Sequence, residues 1–456
     1  MHRWGAVRLV LSGLLTGGLI ATGVTPVVAR ARPPHVTLTA RVGAGTVQVG
    51  DPATLTARLS PARRGVTLVV QRWVSGRWVT YSRPRTDAHG RAQVRLSSST
   101  AGSQRFRVRR TSPVPARRAT SSPVTLTVTP AGRCAPRTPL VDTRATTAAR
   151  CLAARLDRWQ AARTMAAGQQ LNVSNSAYAA PLTSLGSRAV PVVGFDLEEL
   201  AQGQTYGFPV APLDALVARA QAGAVLSASW HPPNPGTGGG YGDRSWSDLG
   251  SLLRPATPAA EAFWAGFEAR MALLLQLQQA GVAVVFRPLH EANGSWFWWG
   301  HPAPSTYRSL WTAMQARAAS LGVHNVLWAY SFNADTGSHI TSPVTLLPAK
   351  VDLAGLDSYD PEVGAGSSAD RLSTAGYAAV AAKVRRMTFT EVGPSDSPDG
   401  AWDPAVIAAT ARTLANPPLW AMLWFDDSTG RKQLASLTRG RTWLDGCRDG
   451  FCLVGP

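Results

Sequence analysis

The chain has 456 residues, 45% of them apolar, which is ordinary for a globular protein and enough for two or three domains. Its formal net charge of +19 would favour a nucleic-acid partner if the charge were spread along the chain. However, residues 1–132 hold 20 Arg and only two acids, whereas the remaining 324 residues hold 26 basic and 25 acidic side chains. The larger part is therefore electrically balanced, and we predict no nucleic-acid partner.

Residues 1–31 have the form of a secretory signal peptide. The basic pair His2–Arg3 precedes a run rich in Leu, Gly and Val from Leu9 to Ala29, and the small residues Ala29 and Ala31 offer a cleavage site. An uncleaved membrane anchor is the alternative. No other run is apolar enough to span a bilayer. We therefore predict a secreted protein that leaves the membrane after cleavage.

The four cysteines form two local pairs, Cys134 with Cys151 and Cys447 with Cys452. In an exported protein, such pairs predict two disulfides. A zinc site is the weaker interpretation, because the four residues lie far apart and lack CxxC spacing.

Residues 35–129 are predicted to form an immunoglobulin-like β-sandwich, followed by a linker over 130–142. The pattern shows about seven short alternating strands and no helical period. The predicted strands are His35–Val42, Thr54–Leu59, Val66–Trp73, Arg77–Tyr81, Ala92–Leu96, Arg105–Arg109 and Val124–Val128. The module could be a spacer that contacts anionic cell-wall polymers through its basic charge. A sugar-binding module, suggested by Trp73, Trp78 and Tyr81, is the alternative.

Strands and helices alternate over residues 143–456. The predicted strands are Thr164–Leu171, Val190–Phe195, Ala224–Trp230, Val282–Leu289, Val326–Tyr330, Val351–Leu356, Met387–Thr390 and Leu419–Trp424. The predicted helices are Ala145–Ala167, Leu213–Ala222, Ala259–Ala280, Thr306–Leu321, Ala369–Arg386 and Pro404–Ala415. Eight such units predict a (β/α)8 TIM barrel. A doubly wound open sheet would need a phosphate-binding glycine turn after the first strand, which the sequence does not supply.

Polar and aromatic side chains follow the predicted strands, where a barrel of this kind carries its active site. They are Asp196 after strand two, His231 after strand three, His290, Glu291, Asn293 and Trp296 after strand four, Asp357 and Tyr359 after strand six, Glu391 after strand seven and Trp424 at strand eight. Asp352, within strand six, is a weaker candidate. The 16 Trp residues favour a carbohydrate ligand, because aromatic faces stack on the C–H faces of sugar rings.

Two glutamates carry the predicted chemistry, Glu291 after strand four and Glu391 after strand seven. Glycoside cleavage needs one carboxylic acid to protonate the leaving oxygen and one carboxylate on the other side of the sugar. Strands four and seven face each other across the barrel, so the two carboxyl groups could meet at the spacing of roughly 5 Å that a retaining mechanism uses. A structural ion pair is the alternative for either residue alone.

The stretch His290–Gly300, with sequence HEANGSWFWWG, resembles the signature of glycoside hydrolase family 26. Trp230–Pro232, Gly355–Tyr359 and Thr390–Gly393 resemble further blocks of that family, in the same order, and the resemblance covers about residues 140–440. One departure is Ala292, where the family more often has Met. The family consists mainly of β-mannanases, with some β-glucanases and β-xylanases, on (β/α)8 barrels with acids on strands four and seven.

The resemblance implies that Glu291 is the general acid/base and Glu391 the nucleophile. His290 and His231 are expected to orient the acid or to bond sugar hydroxyls, and Tyr359 is expected to donate a hydrogen bond that positions Glu391. Trp296 and Trp424 are expected to stack against sugar rings. Asn293 and Tyr359 are also counted among the expected substrate-binding residues. No cofactor and no metal are expected. A zinc peptidase is excluded because the sequence lacks HExxH, and the absence of a GxSxG turn weakens an esterase interpretation.

The sequence thus predicts a secreted, monomeric, retaining endo-β-1,4-mannanase acting on mannan, glucomannan or galactomannan. A β-glucanase or β-xylanase on the same scaffold is the nearest alternative. A non-catalytic cell-wall carbohydrate-binding protein is the alternative from another class.

Overall fold

A computed structural model of the protein describes residues 36–454, apart from residues 44, 50–52, 75, 97–99, 130–133, 173–189, 202–211, 335–336, 361–371 and 448–449. The predicted signal peptide and residues 130–133 of the predicted linker lie outside the described residues. Among the helices that are described, none is long and apolar enough to cross a membrane.

The N-terminal part folds into two sheets that share one apolar core. Its strands are β1 (Thr37–Val42), β2 (Thr46–Gln48), β3 (Ala53–Ser60), β4 (Val69–Val74), β5 (Arg77–Ser82), β6 (Arg91–Leu96), β7 (Gly102–Arg110), β8 (Ala119–Thr120) and β9 (Val124–Thr129). The smaller sheet has the order β1-β3-β6, and the larger has the order β2-β9-β7-β4-β5, with β8 against β7. Leu55, Phe106 and Leu126 meet between them. All seven predicted strands are present, and β2 and β8 are additional. The assignment of this part as an immunoglobulin-like domain stays a prediction.

The C-terminal part is a closed barrel of eight parallel strands, which confirms the predicted fold. These are β10 (Thr164–Gln170), β11 (Val192–Asp196), β12 (Val225–Trp230), β13 (Val284–Pro288), β14 (Val326–Asn333), β15 (Leu353–Asp360), β16 (Met387–Pro394) and β17 (Trp420–Leu423). Each strand pairs with the next, and β10 pairs with both β17 and β11, which closes the barrel. A short strand, β18 (Phe451–Leu453), lies antiparallel beside the start of β10.

The described helices surround the barrel. They are α1 (Thr147–Ala161), α2 (Leu197–Ala201), α3 (Pro212–Gln221), α4 (Pro258–Gln279), α5 (Pro304–Ser320), α6 (Pro343–Leu346), α7 (Tyr377–Ala381), α8 (Ala405–Arg412) and α9 (Gly440–Gly446). Helix α4 begins where its pattern indicates, with Pro258 at its first position and the Thr257 hydroxyl accepting from the Ala260 amide at 3.2 Å.

Two predicted helices were too long. The helix predicted over Ala145–Ala167 ends at Ala161, because the backbone of Arg163 turns to a φ of +48° and Thr164 already belongs to β10. Of the helix predicted over Ala369–Arg386, the described residues contain only Tyr377–Ala381, preceded by Gly376 at a φ of +78°. In both segments the Ala-rich composition indicated a longer helix. The pairing of β10 limits the first helix, and the left-handed backbone at Gly376 limits the second.

The barrel interior changes character along its length. Near the N-terminal ends of the strands, side chains such as Val225, Val285 and Leu327 form an apolar floor, against which α1 packs through Ala149 and Leu156. Side chains on the other side of the strands pack against the outer helices in a larger cluster. Because side chains alternate along a strand, the same inward-facing rows continue as polar residues toward the C-terminal ends.

Both predicted disulfides form. The bond between Cys134 and Cys151 joins the segment before α1 to α1 itself. The bond between Cys447 and Cys452 closes the connection from α9 to β18. Each pair therefore fixes a local end of the barrel domain.

Buried carboxylates hold the segment before α1 against the base of the barrel. Asp157 on α1 pairs with Arg386 at 2.8 and 2.9 Å, and it also accepts from the Arg137 amide at 2.7 Å. Asp352 accepts from the backbone amides of Val141 and Trp328, each at 2.8 Å. Residues within the predicted linker thus satisfy acids of the barrel.

We expect Arg386→Leu to lower the free energy of unfolding by about 3–5 kcal/mol, because it leaves the buried Asp157 carboxylate without its cation. Differential scanning calorimetry at neutral pH measures the effect as a lower Tm. The matched control is Arg254→Gln, which removes an exposed pair with Asp248 and should cost roughly 1 kcal/mol or less. If both variants lost the same free energy of unfolding, burial would not be the reason that the Asp157–Arg386 pair matters for stability.

Candidate active site

The polar layer of the barrel opens at the C-terminal end of β13. Arg287 is the last inward-facing residue of this strand and is only 2% exposed. Beyond Pro288 the chain makes a tight turn, in which Leu289 and Glu291 take positive φ values of 47° and 52°. Such backbone is unfavourable for residues other than Gly, and it is typical of functional sites, where the surroundings hold a side chain in a required direction.

The turn directs the Glu291 carboxyl group into the barrel opening. One oxygen accepts from the Asn333 amide at 2.9 Å, and the other accepts from the Trp296 indole N–H at 2.7 Å. Burial and the charge of Glu391 raise the pKa of Glu291 to about 7, although both hydrogen bonds act in the opposite direction. The group is therefore poised to hold or release a proton near neutral pH.

Glu391, within β16, is held by three neighbours. The Arg287 guanidinium donates to Oε1, and the Tyr359 hydroxyl donates to Oε2 at 2.8 Å. His290 Nε2 lies 3.7 Å from Oε1. A carboxyl group that receives hydrogen bonds from a guanidinium and a phenol is fixed in position.

A third acid completes the cluster. Asp357 is fully buried, and its Oδ2 accepts from the Ser331 hydroxyl at 2.6 Å and from Arg287 at 3.3 Å. Burial and the charge of Glu391 raise the pKa of Asp357 well above its ordinary value. Oxygens of Glu291, Asp357 and Glu391 lie within 4.8 Å of one another, a spacing that could hold a metal ion. The chain supplies the positive charge there itself, because Arg287 contacts two of the three acids.

Two histidines line the opening beside this cluster. The His231 ring lies 2.7 Å from Asp196 through Nδ1, and its centroid is 4.5 Å from that of His290. Burial opposes a charge on His231, but the Asp196 carboxylate outweighs it and raises the pKa of His231. Burial and the charges of Arg287 and His231 hold the pKa of His290 well below its ordinary value. The pKa values of the two rings thus shift in opposite directions, so His231 holds a second ring proton to a higher pH than His290 does.

Comparison with known proteins identifies the family. The sequence model described as glycosyl hydrolase family 26 matches residues 141–439. The chain belongs to glycosyl hydrolase family 26. The predicted family and the predicted class of glycoside hydrolase are thereby confirmed.

Relatives and solved structures agree with this family 26 assignment. A mannan endo-1,4-beta-mannosidase of Bifidobacterium adolescentis is 33% identical over 164 residues, which are 33% of this chain and 16% of that protein. A mannan endo-1,4-beta-mannosidase of Bacillus subtilis is 27% identical over 252 residues, 51% of this chain and 67% of that protein. The catalytic domain of a GH26 endo-beta-1,4-mannanase from Bacillus sp. JAMB-750 has a TM-score of 0.55 at 22% identity, covering 70% of this chain and 93% of that domain. The last comparison establishes a shared fold.

The aromatic run of the family 26 signature divides into two groups. Trp298 and Trp299 are fully buried, and their indole N–H groups donate to the carbonyls of Pro232 and His290. Phe297 stacks on Trp299 at 4.4 Å, whereas Trp296 is half-exposed beside Glu291. Trp424 is also half-exposed, with its ring 6.3 Å from that of His231. Trp296 and Trp424 thus remain accessible to a sugar.

Two sequence candidates lie away from the opening. Asn293 is fully buried, and its amide exchanges hydrogen bonds of 2.8 and 2.9 Å with the backbone of Asn333. It therefore supports Asn333, in contrast to the sugar contact predicted for it. Asp352 lies just before β15, at the opposite end of the barrel, where it binds backbone amides. Its predicted place within strand six was wrong, because the strand begins one residue later.

The sequence interpretation gave no role to Arg287, Asn333 or Ser331. Arg287 left a signal, a single cation in an otherwise apolar strand. Asn333 left none, because it reaches Glu291 from a different strand, 42 residues along the chain. A bound chain could extend into an open cavity of about 640 Å³, which is lined by Gly242, Asp243, Arg244, Ser245, Ser247, Ser295, Phe297 and Gly300.

We expect Trp296→Phe to raise the pKa of Glu291 above its value of about 7. The indole N–H stabilises the charged carboxylate, so its loss favours the protonated form. Carbon-13 NMR titration of glutamate labelled at the side-chain carboxyl measures this directly, since the chain has only seven Glu. Trp298→Phe is the matched control, because its N–H donates to Pro232. An unchanged or lower pKa in Trp296→Phe would show that this hydrogen bond does not tune the acid.

Proposed function

We propose that the protein is a secreted, retaining endo-β-1,4-mannanase that cleaves by double displacement. The observation that carries the mechanism is that one carboxyl oxygen of Glu291 lies within 4.8 Å of one of Glu391. Retaining glycosidases place their two acids roughly 5–5.5 Å apart, whereas inverting enzymes leave a gap of roughly 6.5–9.5 Å for a water molecule. The close approach of these oxygens supports the retaining arrangement.

The surroundings of the two acids support a division of roles. Glu291 is buried with a pKa of about 7, so a useful fraction is protonated at neutral pH and can act as the general acid. Glu391 accepts hydrogen bonds from Arg287 and Tyr359, which hold its carboxyl group in position, as a nucleophile requires.

The proposed reaction has two steps. In the first, a Glu391 oxygen attacks the anomeric carbon while Glu291 gives its proton to the departing glycosidic oxygen, which leaves a glycosyl ester on Glu391. In the second, the Glu291 carboxylate takes a proton from water, the water oxygen bonds to the anomeric carbon, and Glu391 leaves as a carboxylate. Configuration is retained because the carbon is inverted twice.

The substrate is proposed from the relatives and from the shape of the opening. The relatives described above are named mannan endo-1,4-beta-mannosidases, although the chain spans only 16% of the first. Trp296 and Trp424 offer half-exposed rings on which sugars can stack, and His231 and His290 offer polar partners for hydroxyl groups. Export is supported by the two disulfides, which persist in oxidising compartments.

We expect Glu391→Ala to abolish release of reducing sugar from mannan, glucomannan and galactomannan, with a loss of about 10³-fold or more, because no covalent intermediate can form. Asp352→Asn is the matched control, a buried acid remote from the site, and should keep most of the activity. Full activity of Glu391→Ala would refute the mechanism. Wild-type activity confined to lichenan or xylan would refute the substrate and leave the reaction class intact.

A second measurement separates the two acids. We expect Glu291→Ala to keep appreciable activity on an aryl mannoside whose leaving group needs no protonation. Added azide should accelerate this reaction by attacking the glycosyl ester.

Proton NMR of early wild-type products should show the β-anomer first. Appearance of the α-anomer first would establish inversion and contradict the proposed roles. Binding to insoluble mannan with no product over days would favour the non-catalytic alternative.

A further inference from the structure

The larger N-terminal sheet exposes a face of arginine and tryptophan, which we call the Arg–Trp face. It consists of Trp73 on β4, Trp78 on β5, and Arg105, Arg107 and Arg109 on β7. Between these arginines, Phe106 and Val108 point inward and are fully buried. Because side chains alternate along a strand, the three arginines therefore project from the opposite, outer side of the sheet. Trp73, at 39%, is among the most exposed large apolar residues described.

The strand register brings these side chains together. Trp73 lies directly opposite Trp78, and their ring centroids are 5.1 Å apart in an edge-to-face arrangement. The neighbouring pair of strands places Gln71 opposite Arg107, whose Nε donates to the Gln71 amide oxygen at 2.9 Å. The Arg107 guanidinium lies 4.4 Å from the centroid of Trp78. The face is thus a built arrangement, in which the Arg107 guanidinium lies over the Trp78 indole.

Its positive charge is not neutralised from within the described part of the module. No ion pair with a carboxylate is found for Arg105, Arg107 or Arg109 among the described residues. The one described acid of the two sheets, Asp87, accepts from the backbone amides of His89 and Arg91 in its own turn. Burial and the charge of Arg109 lower the pKa of Arg107, as expected for crowded cations.

We propose that the Arg–Trp face binds an acidic polysaccharide, with its carboxylates on the arginines and its sugar rings on the tryptophans. Guanidinium groups match carboxylates in geometry and form charge-assisted hydrogen bonds. An exposed indole flanked by cations offers both surfaces that a uronic acid residue needs, an apolar ring face and an anionic edge. A neutral mannan would offer no anionic group to the three arginines.

The arrangement favours a sugar chain over a nucleic acid. Single-stranded nucleic acids bind by inserting bases against open aromatic faces. Here the two indoles meet edge to face, so they form no parallel slot for a base, and Arg107 covers one face of Trp78.

This site is separate from the cleavage site, so its occupation would hold the enzyme on an acidic matrix while the barrel acts on another polymer. The proposal does not require mannan to be the substrate. Loss of binding with intact hydrolysis therefore tests the face alone, and loss of hydrolysis with intact binding tests the barrel alone.

The test measures binding of the full-length chain to immobilised polygalacturonate in 0.15 M NaCl by biolayer interferometry. We expect Arg105→Gln/Arg107→Gln/Arg109→Gln to weaken binding by about tenfold or more through lost charge-assisted contacts. The matched control is Arg41→Gln/Arg58→Gln/Arg91→Gln, which removes three exposed arginines from the smaller sheet. It lowers the net charge equally and should change binding by roughly twofold or less, since exposed charges are screened at this salt.

A second variant tests the rings. We expect Trp73→Ala/Trp78→Ala to weaken binding to polygalacturonate by roughly fivefold or more, through loss of aromatic contact area. An unchanged Tm, together with an unchanged rate of polysaccharide hydrolysis by the barrel, would verify that each variant is folded.

Three results would overturn the proposal. Equal losses in the two triple-arginine variants would show that net charge, and not this face, causes retention. Binding to neutral galactomannan as tight as to polygalacturonate, and independent of the arginines, would make the face a neutral-sugar site. Tighter binding to double-stranded DNA at the same salt, lost in the same variants, would identify a nucleic-acid site.

Discussion

Three carboxyl groups lie close together in the barrel opening, and the positive charge of the Arg287 guanidinium offsets part of the repulsion between them. Glu291, Asp357 and Glu391 approach within 4.8 Å in a buried setting where like charges repel strongly. Arg287 contacts Asp357 and Glu391 and so places a positive charge beside two of the three acids. Burial and the charge of Glu391 raise the pKa of both Glu291 and Asp357, so these two groups hold their protons to a higher pH than isolated carboxyl groups do.

The barrel provides the rigidity that this arrangement needs. The inward-facing rows are apolar at the base, where α1 packs beneath Val285 and Leu327, and polar at the top, where Ser331 and Arg287 lie. The polar layer therefore rests on a close-packed floor that excludes water from below. Gly355 shows how tightly the strands fit, because a Cβ there would come within 2.2 Å of the Thr390 hydroxyl, one residue before Glu391 on β16.

Much of this could be predicted from the sequence, because local patterns encode it. The apolar run before His290 predicts a buried strand, and an acid at the end of such a strand falls at the barrel opening. Asp352 was misplaced because the apolar pattern does not fix where strand six begins, and the strand starts one residue later, at Leu353. Asn333 could not be found, since its contact with Glu291 depends on the register of β13 and β14. Composition likewise overextended the helix before Arg163, whose left-handed backbone no propensity scale anticipates.

The burial of Glu291 also links catalysis to the free energy of folding. Its pKa of about 7 in the folded protein exceeds its ordinary value of 4.5, so between these pH values the folded chain binds a proton that the unfolded chain has released. Raising the pH through this window therefore favours unfolding, by on the order of 3 kcal/mol once Glu291 is ionised. Calorimetric scans at pH 4.5 and 8 would measure this together with the other titrating groups. As the pH rises through this range, such an enzyme loses both its protonated general acid and part of its thermal stability. Selection for activity at alkaline pH would have to restore both.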